Sequence, residues 1–226
     1  MLVGNDVVDL HDPWSQPEKI HHRFDSRAFT PAERARIRGS HTAHQLRWSL
    51  WAAKESAFKV ARKLDGGVRF FPRDFAVIMF GDARAEVSHR VGRFGVWFER
   101  ADEWLHAVAF PTTDLGTGTE DPDRHGREDG GPERAPVGVS SRVDLVGEGG
   151  VDAHASVDRP SVRVREVAQT AVGSLMNLAP SEIEIVTDGG IPAPHRRDQR
   201  LPIDLSLSHH GRFVACAWSV HGSLTG

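Results

Sequence analysis

One cysteine, Cys216, occurs in 226 residues. That scarcity excludes an internal disulfide framework and a cysteine-rich zinc site, and it fits a reducing compartment, so a cytoplasmic protein is expected. Positive charge is not in excess: 28 Lys and Arg against 31 Asp and Glu give a formal net charge of −3. No bulk field is left to hold nucleic acid. Long apolar runs are missing as well. No stretch approaches the roughly 20 apolar residues of a membrane helix. The opening MLVGNDVVDLHD meets an acid at Asp6 and lacks the basic start and apolar run of a leader, so neither a membrane partner nor a signal peptide is expected. Lysine is scarce too: only four of the 28 basic residues, and Lys54, Lys59 and Lys63 fall within ten positions. A compact, movable ammonium suits a phosphate better than a planar guanidinium fork does. Clustering on a solvated helix face accounts for the same spacing.

From Pro111 to Pro160 there is no Phe or Trp, while nine of the 22 glycines and an excess of acids fall there. Such a segment buries too little apolar surface to offset its ordering entropy. Residues 111–160 are therefore expected to be a flexible linker between residues 1–110 and 161–226. Neither block is long enough for a large core of its own, so the two are expected to pack together.

The first block opens on an apolar strand, LVGNDVVDL, whose alternation places Gly4, Asp6, Val8 and Leu10 on one face. Thr30-Pro-Ala-Glu33 has the form of a capping box opening a short helix to about Arg38. A long helix over about His41–Leu64 follows, with Leu46, Leu50, Ala53, Ala57 and Ala61 as its core stripe and Glu55, Lys59 and Arg62 on another face. Phe75–Phe80, Arg84–His89, Phe94–Glu99 and His106–Phe110 read as strands. In the second block, Val164 to Leu178 carries the period of an amphipathic helix that Pro180 stops. Glu182–Thr187 reads as a strand, and Ile203 to Ser208 as a half-buried strand ending in Ser208-His209-His210-Gly211, with Phe213–Val220 as its hairpin partner. The fold class is α+β, helices packed on antiparallel sheet in two comparable halves.

Asp6 is the first chemical signal. A carboxylate on an apolar strand face is costly unless it is paired, protonated or bound to a cation. Taken alone, a salt bridge to an arginine accounts for it, and an i, i+4 pair with Lys59 accounts for Glu55. Two carboxylates on rigid elements, neighbouring lysines and a Ser-His at a strand end together describe a magnesium-phosphate site. Thirteen histidines do not make a zinc site, because the adjacent pairs project apart and only His41 and His44 share a helical face. Trp48 and Trp51 read as packing residues.

Val3-Gly-Asn-Asp-Val-Val-Asp-Leu10, Trp51-Ala-Ala-Lys-Glu-Ser-Ala-Phe-Lys59 and Ser206-Leu-Ser-His-His-Gly211 resemble the three signature stretches of the 4′-phosphopantetheinyl transferase superfamily. RAFTPAE, within Phe24 to Glu33, resembles the segment after the first motif in its holo-acyl-carrier-protein synthase branch. The resemblance implies that fold, built of two pseudo-symmetric halves, and a cytoplasmic enzyme that moves phosphopantetheine from coenzyme A to a serine hydroxyl of an apo carrier protein, releasing adenosine 3′,5′-bisphosphate. It implies Mg²⁺ on Asp6 and Glu55, Lys54 and Lys59 near the coenzyme A diphosphate, and Ser208 and His209 gripping its phosphates. The resemblance further implies that Glu55, with Lys59, carries the catalysis. Arg27, Arg47 and Arg165 are candidates for the 3′-phosphate.

Motif order differs from the surfactin-type members, where the Ser-His half comes first. The expectation is a monomeric pseudo-dimer with its halves swapped in chain order, the tether keeping their effective concentration high. Val8 stands where surfactin-type members have an acid, Ile191 where a basic residue is usual, and His210 where a small hydroxyl residue is common. Two other readings use the same residues: a degenerate coenzyme A-binding module, and a magnesium-dependent phosphodiesterase or pyrophosphatase.

Overall fold

The apolar run at the start of the chain becomes the strand on which both halves are assembled. In the computed structural model, which describes residues 1–112, 138–146 and 159–221, β1 (Gly4–Asp9) is buried along its whole length. It pairs antiparallel with β5 (Trp104–Pro111), with Asp6 opposite Ala107. The sheet continues through β4 (Gly92–Arg100) and β3 (Arg84–His89) to β2 (Ala76–Phe80), in the order β1-β5-β4-β3-β2. These are the expected strands: β3 has the expected bounds, β2 starts one residue later, and β4 and β5 run longer at both ends.

Between β1 and β2 come α1 (Phe24–Ala28), α2 (Pro31–Arg38) and α3 (Ala43–Leu64). α2 starts on the expected capping box: Thr30 Oγ1 accepts the Glu33 N–H at 3.3 Å, and Glu33 Oε2 accepts the Thr30 N–H at 2.8 Å. α3 lays Leu50, Ala53, Ala57 and Ala61 on the sheet, all but excluded from solvent. Small residues let the helix come close. At Gly4 a Cβ would sit 2.1 Å from the Ser56 carbonyl oxygen, so glycine is required where helix and strand backbones meet. No helix among the described residues is long and apolar enough to cross a membrane.

The second half has the same layering. α4 (Arg159–Met176) packs Val164, Val167, Ala168 and Val172 onto Ile203, Leu205, Val214 and Cys216 of β10 (Ile203–His210) and β11 (Phe213–Val220). β11 also pairs with β6 (Val139–Leu145), and a small sheet of β7 (Glu184–Asp188), β8 (Ile191–Arg196) and β9 (Gln199–Arg200) completes the half. Helices on antiparallel sheets make the class α+β, as expected.

β6 corrects the expected linker. It lies within residues 111–160, yet Val139 packs with Val3, Val108 and Ala217 between the halves, and Val143 lies against Val7, Phe213 and Ala215. An average over fifty residues hides a strand that needs only two apolar side chains turned inward. The rest of the linker expectation, residues 113–137 and 147–158, lies outside the described residues.

The halves meet edge to edge along β1 and β10, and side chains bridge the two edges. Backbone N–H groups of Val3, Asn5, Val7 and Asp9 donate to Asp204 Oδ2 (2.7 Å), Ser206 Oγ (3.0 Å), Ser208 Oγ (3.1 Å) and His210 Nδ1 (3.1 Å). Partners advance together in number, so the strands run in the same direction. Lysines of α3 close the carbonyl side: Lys63 Nζ bonds Val3 O (2.7 Å) and Leu205 O (2.8 Å), and Lys59 Nζ bonds Asn5 O (2.6 Å) and Leu207 O (3.3 Å). An exposed strand edge is thereby satisfied without direct backbone pairing. The polar face of β10, expected to meet water, is instead buried: Asp204, Ser206 and Ser208 are each at most 6% exposed.

Candidate active site in the seam

Alternation along β1 turns Asp6 toward α3, and helical spacing brings Glu55 and Lys59 up beside it. At 5% exposure Asp6 has lost most of its water. Burial first, and then repulsion from Glu55, push its carboxyl up to about 8, against the opposing pull of Lys59 and of the Ser208 hydroxyl. Ser208 Oγ donates to Asp6 Oδ1 at 2.8 Å, and Lys59 Nζ stands 3.7 Å from the same oxygen. Asp6, Glu55, Lys59, Ser208 and His209 all line one cleft of about 300 Å³, together with Val8, Trp48, Trp51 and His210. A second cleft of about 320 Å³ adjoins it across Lys59, Leu207, Ser208 and His209 and runs on past Arg62, Arg165 and the Gly190-Ile191-Pro192 turn.

Five of the nine expected site residues thus share one cleft, Arg165 lines the adjoining one, and three lie elsewhere. Lys54 is fully buried; its ammonium donates to Glu33 Oε1 (2.9 Å), Pro72 O (3.0 Å) and Phe75 O (2.5 Å), which uses all three of its protons. It belongs to the core beneath α2, out of reach of a ligand. Arg47 is held bidentate by Asp25, Nε to Oδ1 at 2.8 Å and Nη2 to Oδ2 at 3.0 Å. Arg27 lines a separate depression with Thr30, Phe71 and Arg73. The clustered lysines divide in the same way. Lys63 lines the second cleft but spends its three protons on Val3 O, Leu205 O and Asp204 Oδ2 (2.6 Å), whereas Lys59, 26% exposed, bonds only the Asn5 and Leu207 carbonyls.

Ser208 also differs from expectation in what its hydroxyl does. It accepts from Val7 N–H and donates to Asp6, so its proton is already committed to holding the carboxylate. His209, the next residue, is exposed at the rim shared by both clefts, and burial, Lys59 and His210 together lower its pKa. The shift favours the neutral ring, which offers a hydrogen bond rather than a charge.

Sequence reasoning passed over the clasp that holds this tip. Asp9 accepts from His11 N (2.9 Å), Arg212 N (3.1 Å), Arg212 Nε (2.8 Å) and Arg212 Nη2 (2.9 Å). Gly211 is at φ +53°, and a Cβ there would lie 2.6 Å from Asp9 Oδ2, so glycine alone lets the β10–β11 turn close on β1. Burial works to raise the Asp9 carboxyl, but the Arg212 side-chain bonds and the two backbone N–H groups outweigh it and hold the pKa at about 2, against an ordinary 3.8. A depressed acid stabilises the fold above its unfolded pKa and loses that contribution as pH falls toward its folded one. Urea midpoints are therefore expected to drop between about pH 4 and pH 2, and Asp9→Asn should flatten that stretch of the profile. An unchanged slope in the variant would contradict the clasp. Its only sequence signal was a second acid three residues after Asp6.

A divalent cation suits the donor set. The Glu55 carboxylate adds to the cost of keeping Asp6 ionised, a cost that one positive ion relieves, and magnesium takes few protein oxygens with water and phosphate filling the rest. Val8 supplies no third carboxylate, and among the described residues no three acidic, His or Cys side chains converge on one point.

Comparison with known proteins agrees with the motifs over the first half. The sequence profile of the 4′-phosphopantetheinyl transferase superfamily matches residues 2–109. Among solved structures, the crystal structure of holo-[acyl-carrier-protein] synthase from Neisseria meningitidis aligns with 18% sequence identity and a TM-score of 0.40, covering 48% of this chain and 97% of that one. No curated protein matches the chain.

Proposed function

With residues 2–109 belonging to the 4′-phosphopantetheinyl transferase superfamily, we propose that this chain moves phosphopantetheine from coenzyme A to a serine hydroxyl of an apo carrier protein. The observation that carries the reading is the convergence of Asp6, Glu55 and Lys59 from the first half with His209 from the second around a single cleft. These side chains are up to two hundred positions apart in sequence, and a purely structural seam has no need to leave them facing an opening.

Asp6 and Glu55 would hold Mg²⁺. The ion's contribution is neutralisation of charge on a diphosphate under attack. Lys59 and His209 sit where the two clefts join and would bind the diphosphate oxygens there, Lys59 as charge and His209 as hydrogen-bond donor. The nucleotide end is then directed into the adjoining cleft, where Arg62 and Arg165 supply the positive charge that Ile191 does not. Arg62 Nη2 donates to Gly189 O at 2.7 Å and Arg165 Nη1 to Ser161 O at 2.9 Å, and each guanidinium has further N–H groups for a phosphate.

In the reaction the carrier serine oxygen attacks the phosphorus that carries the pantetheine arm. The bond from that phosphorus to the bridging oxygen breaks, and adenosine 3′,5′-bisphosphate leaves with the bond's electron pair. Glu55, beside the attacked phosphate, takes the serine proton. Lys59 offsets the charge that builds on the departing phosphate.

The test is direct. Apo carrier protein incubated with this chain, coenzyme A and Mg²⁺ should gain the mass of one phosphopantetheine on its serine, and EDTA should stop the gain. Consumption of coenzyme A with the carrier unmodified would indicate hydrolysis and overturn the proposal, as would binding of coenzyme A without turnover.

A further inference from the structure

His210 is set apart from its neighbours by how its ring is anchored. A backbone N–H can only donate, so the 3.1 Å bond from Asp9 N obliges His210 Nδ1 to act as acceptor. In the neutral ring the proton then resides on Nε2. Among the described residues no protein group takes that nitrogen, and the ring lines the cleft at its Trp48 and Trp51 end, 6.4 Å from the Trp48 ring centre. An N–H donor of fixed tautomer thus stands beside the Val8, Trp48 and Trp51 side chains that line this part of the cleft.

The ligand's polarity decides which part of it meets this wall. Positive charge is concentrated elsewhere: Lys59 stands at the junction of the clefts, and Arg62 and Arg165 in the adjoining one. With the nucleotide and diphosphate directed there, the remaining end receives the uncharged arm. That arm alternates methyl-bearing carbon with hydroxyl and amide oxygens, so it calls for apolar contact and an occasional neutral donor.

Resting on the transferase reading above, we propose that His210 is a further binding residue whose Nε2–H donates to a hydroxyl or amide oxygen of the phosphopantetheine arm. Asp9 sets its tautomer through the backbone. One side chain serves two purposes through its two nitrogens, rung of the seam and donor to substrate, where a small hydroxyl residue serves only the first.

Two substitutions separate those purposes. His210→Asn keeps an acceptor in the Nδ1 position and removes the Nε2 donor; His210→Gln keeps a donor near Nε2 and loses the rung. Calorimetric titration with coenzyme A and with adenosine 3′,5′-bisphosphate, which lacks the arm, is the measurement, made with Mg²⁺ present. His210→Asn should melt like the parent and bind coenzyme A roughly fivefold to tenfold more weakly, the value of one neutral hydrogen bond, with adenosine bisphosphate unaffected. His210→Gln should recover coenzyme A affinity and melt lower. Parent-like coenzyme A binding by His210→Asn, or equal loss of both ligands, would overturn the role of His210 and leave the transferase reading standing. If the parent protein binds neither ligand, the transferase reading itself fails and this proposal falls with it.

Discussion

Asp6→Asn is expected to lower the rate of carrier modification by about a thousandfold or more while leaving the protein folded, and Glu55→Gln should do the same. The physical reason lies in what Asp6 costs. Its carboxylate is buried, faces Glu55, and is pushed toward the neutral form by both. A side chain kept for stability would not be placed there. Asparagine keeps an acceptor for the Ser208 hydroxyl and removes the repulsion, so in EDTA the Asp6→Asn protein should melt no lower than the parent. Mg²⁺ should raise the melting temperature of the parent and leave that of the variant unmoved. Thermal melts with and without Mg²⁺, read beside the mass-spectrometric assay, check both halves of the statement. Full activity in either variant, or collapse of the fold in both, would contradict the assignment.

Lys54 should behave in the opposite way. Lys54→Met is expected to cost about 3–5 kcal/mol of stability, because it leaves the Glu33 carboxylate buried at 4% exposure without its cation. Glu33 keeps the Thr30 and Val77 N–H bonds, so its charge stays where it is and must be either tolerated or protonated. The double variant Lys54→Met/Glu33→Gln should recover most of the loss, since neutral groups of similar shape fill the site without an unpaired charge. Chemical denaturation of the two variants measures the difference. At temperatures where Lys54→Met remains folded, its modification rate per folded molecule should match the parent's, whereas Lys59→Ala should lose most of its activity. Two lysines five positions apart are thus separated, one acting on stability and the other on turnover. A Lys54→Met protein as stable as the parent would show that the core does not depend on the pair.

That contrast marks how far the primary chain could be read. The W-x-x-K-E-S-x-x-K spacing placed Lys54 and Lys59 on one helix but said nothing of what each ammonium meets. Lys54 turns under α2 toward carbonyls that only the tertiary fold supplies, and Lys59 turns to the seam. The same limit applies to β10. A two-residue alternation of polar and apolar side chains reads as one wet face and one dry face, because water is the usual partner of a serine row. Here the partner is the unpaired N–H edge of β1, formed two hundred residues earlier, and no local pattern announces it.

Local physics was written in the chain. The capping box at Thr30, the alanine-rich stripe of α3, the alternating strands and the apolar period of α4 each depend on neighbours within a few residues, and each is found where spacing puts it. The carboxylate on the apolar face of β1 was likewise visible as a cost in need of a reason. What only the tertiary structure decided is which groups share space across the seam: that Ser208 holds Asp6, that Asp9 clasps Arg212, that His210 turns one nitrogen to β1, and that Lys54, Arg27 and Arg47 lie elsewhere. Those contacts join positions far apart in the chain, and their free energy comes from burying two strand edges against each other, a quantity that no stretch of sequence contains by itself.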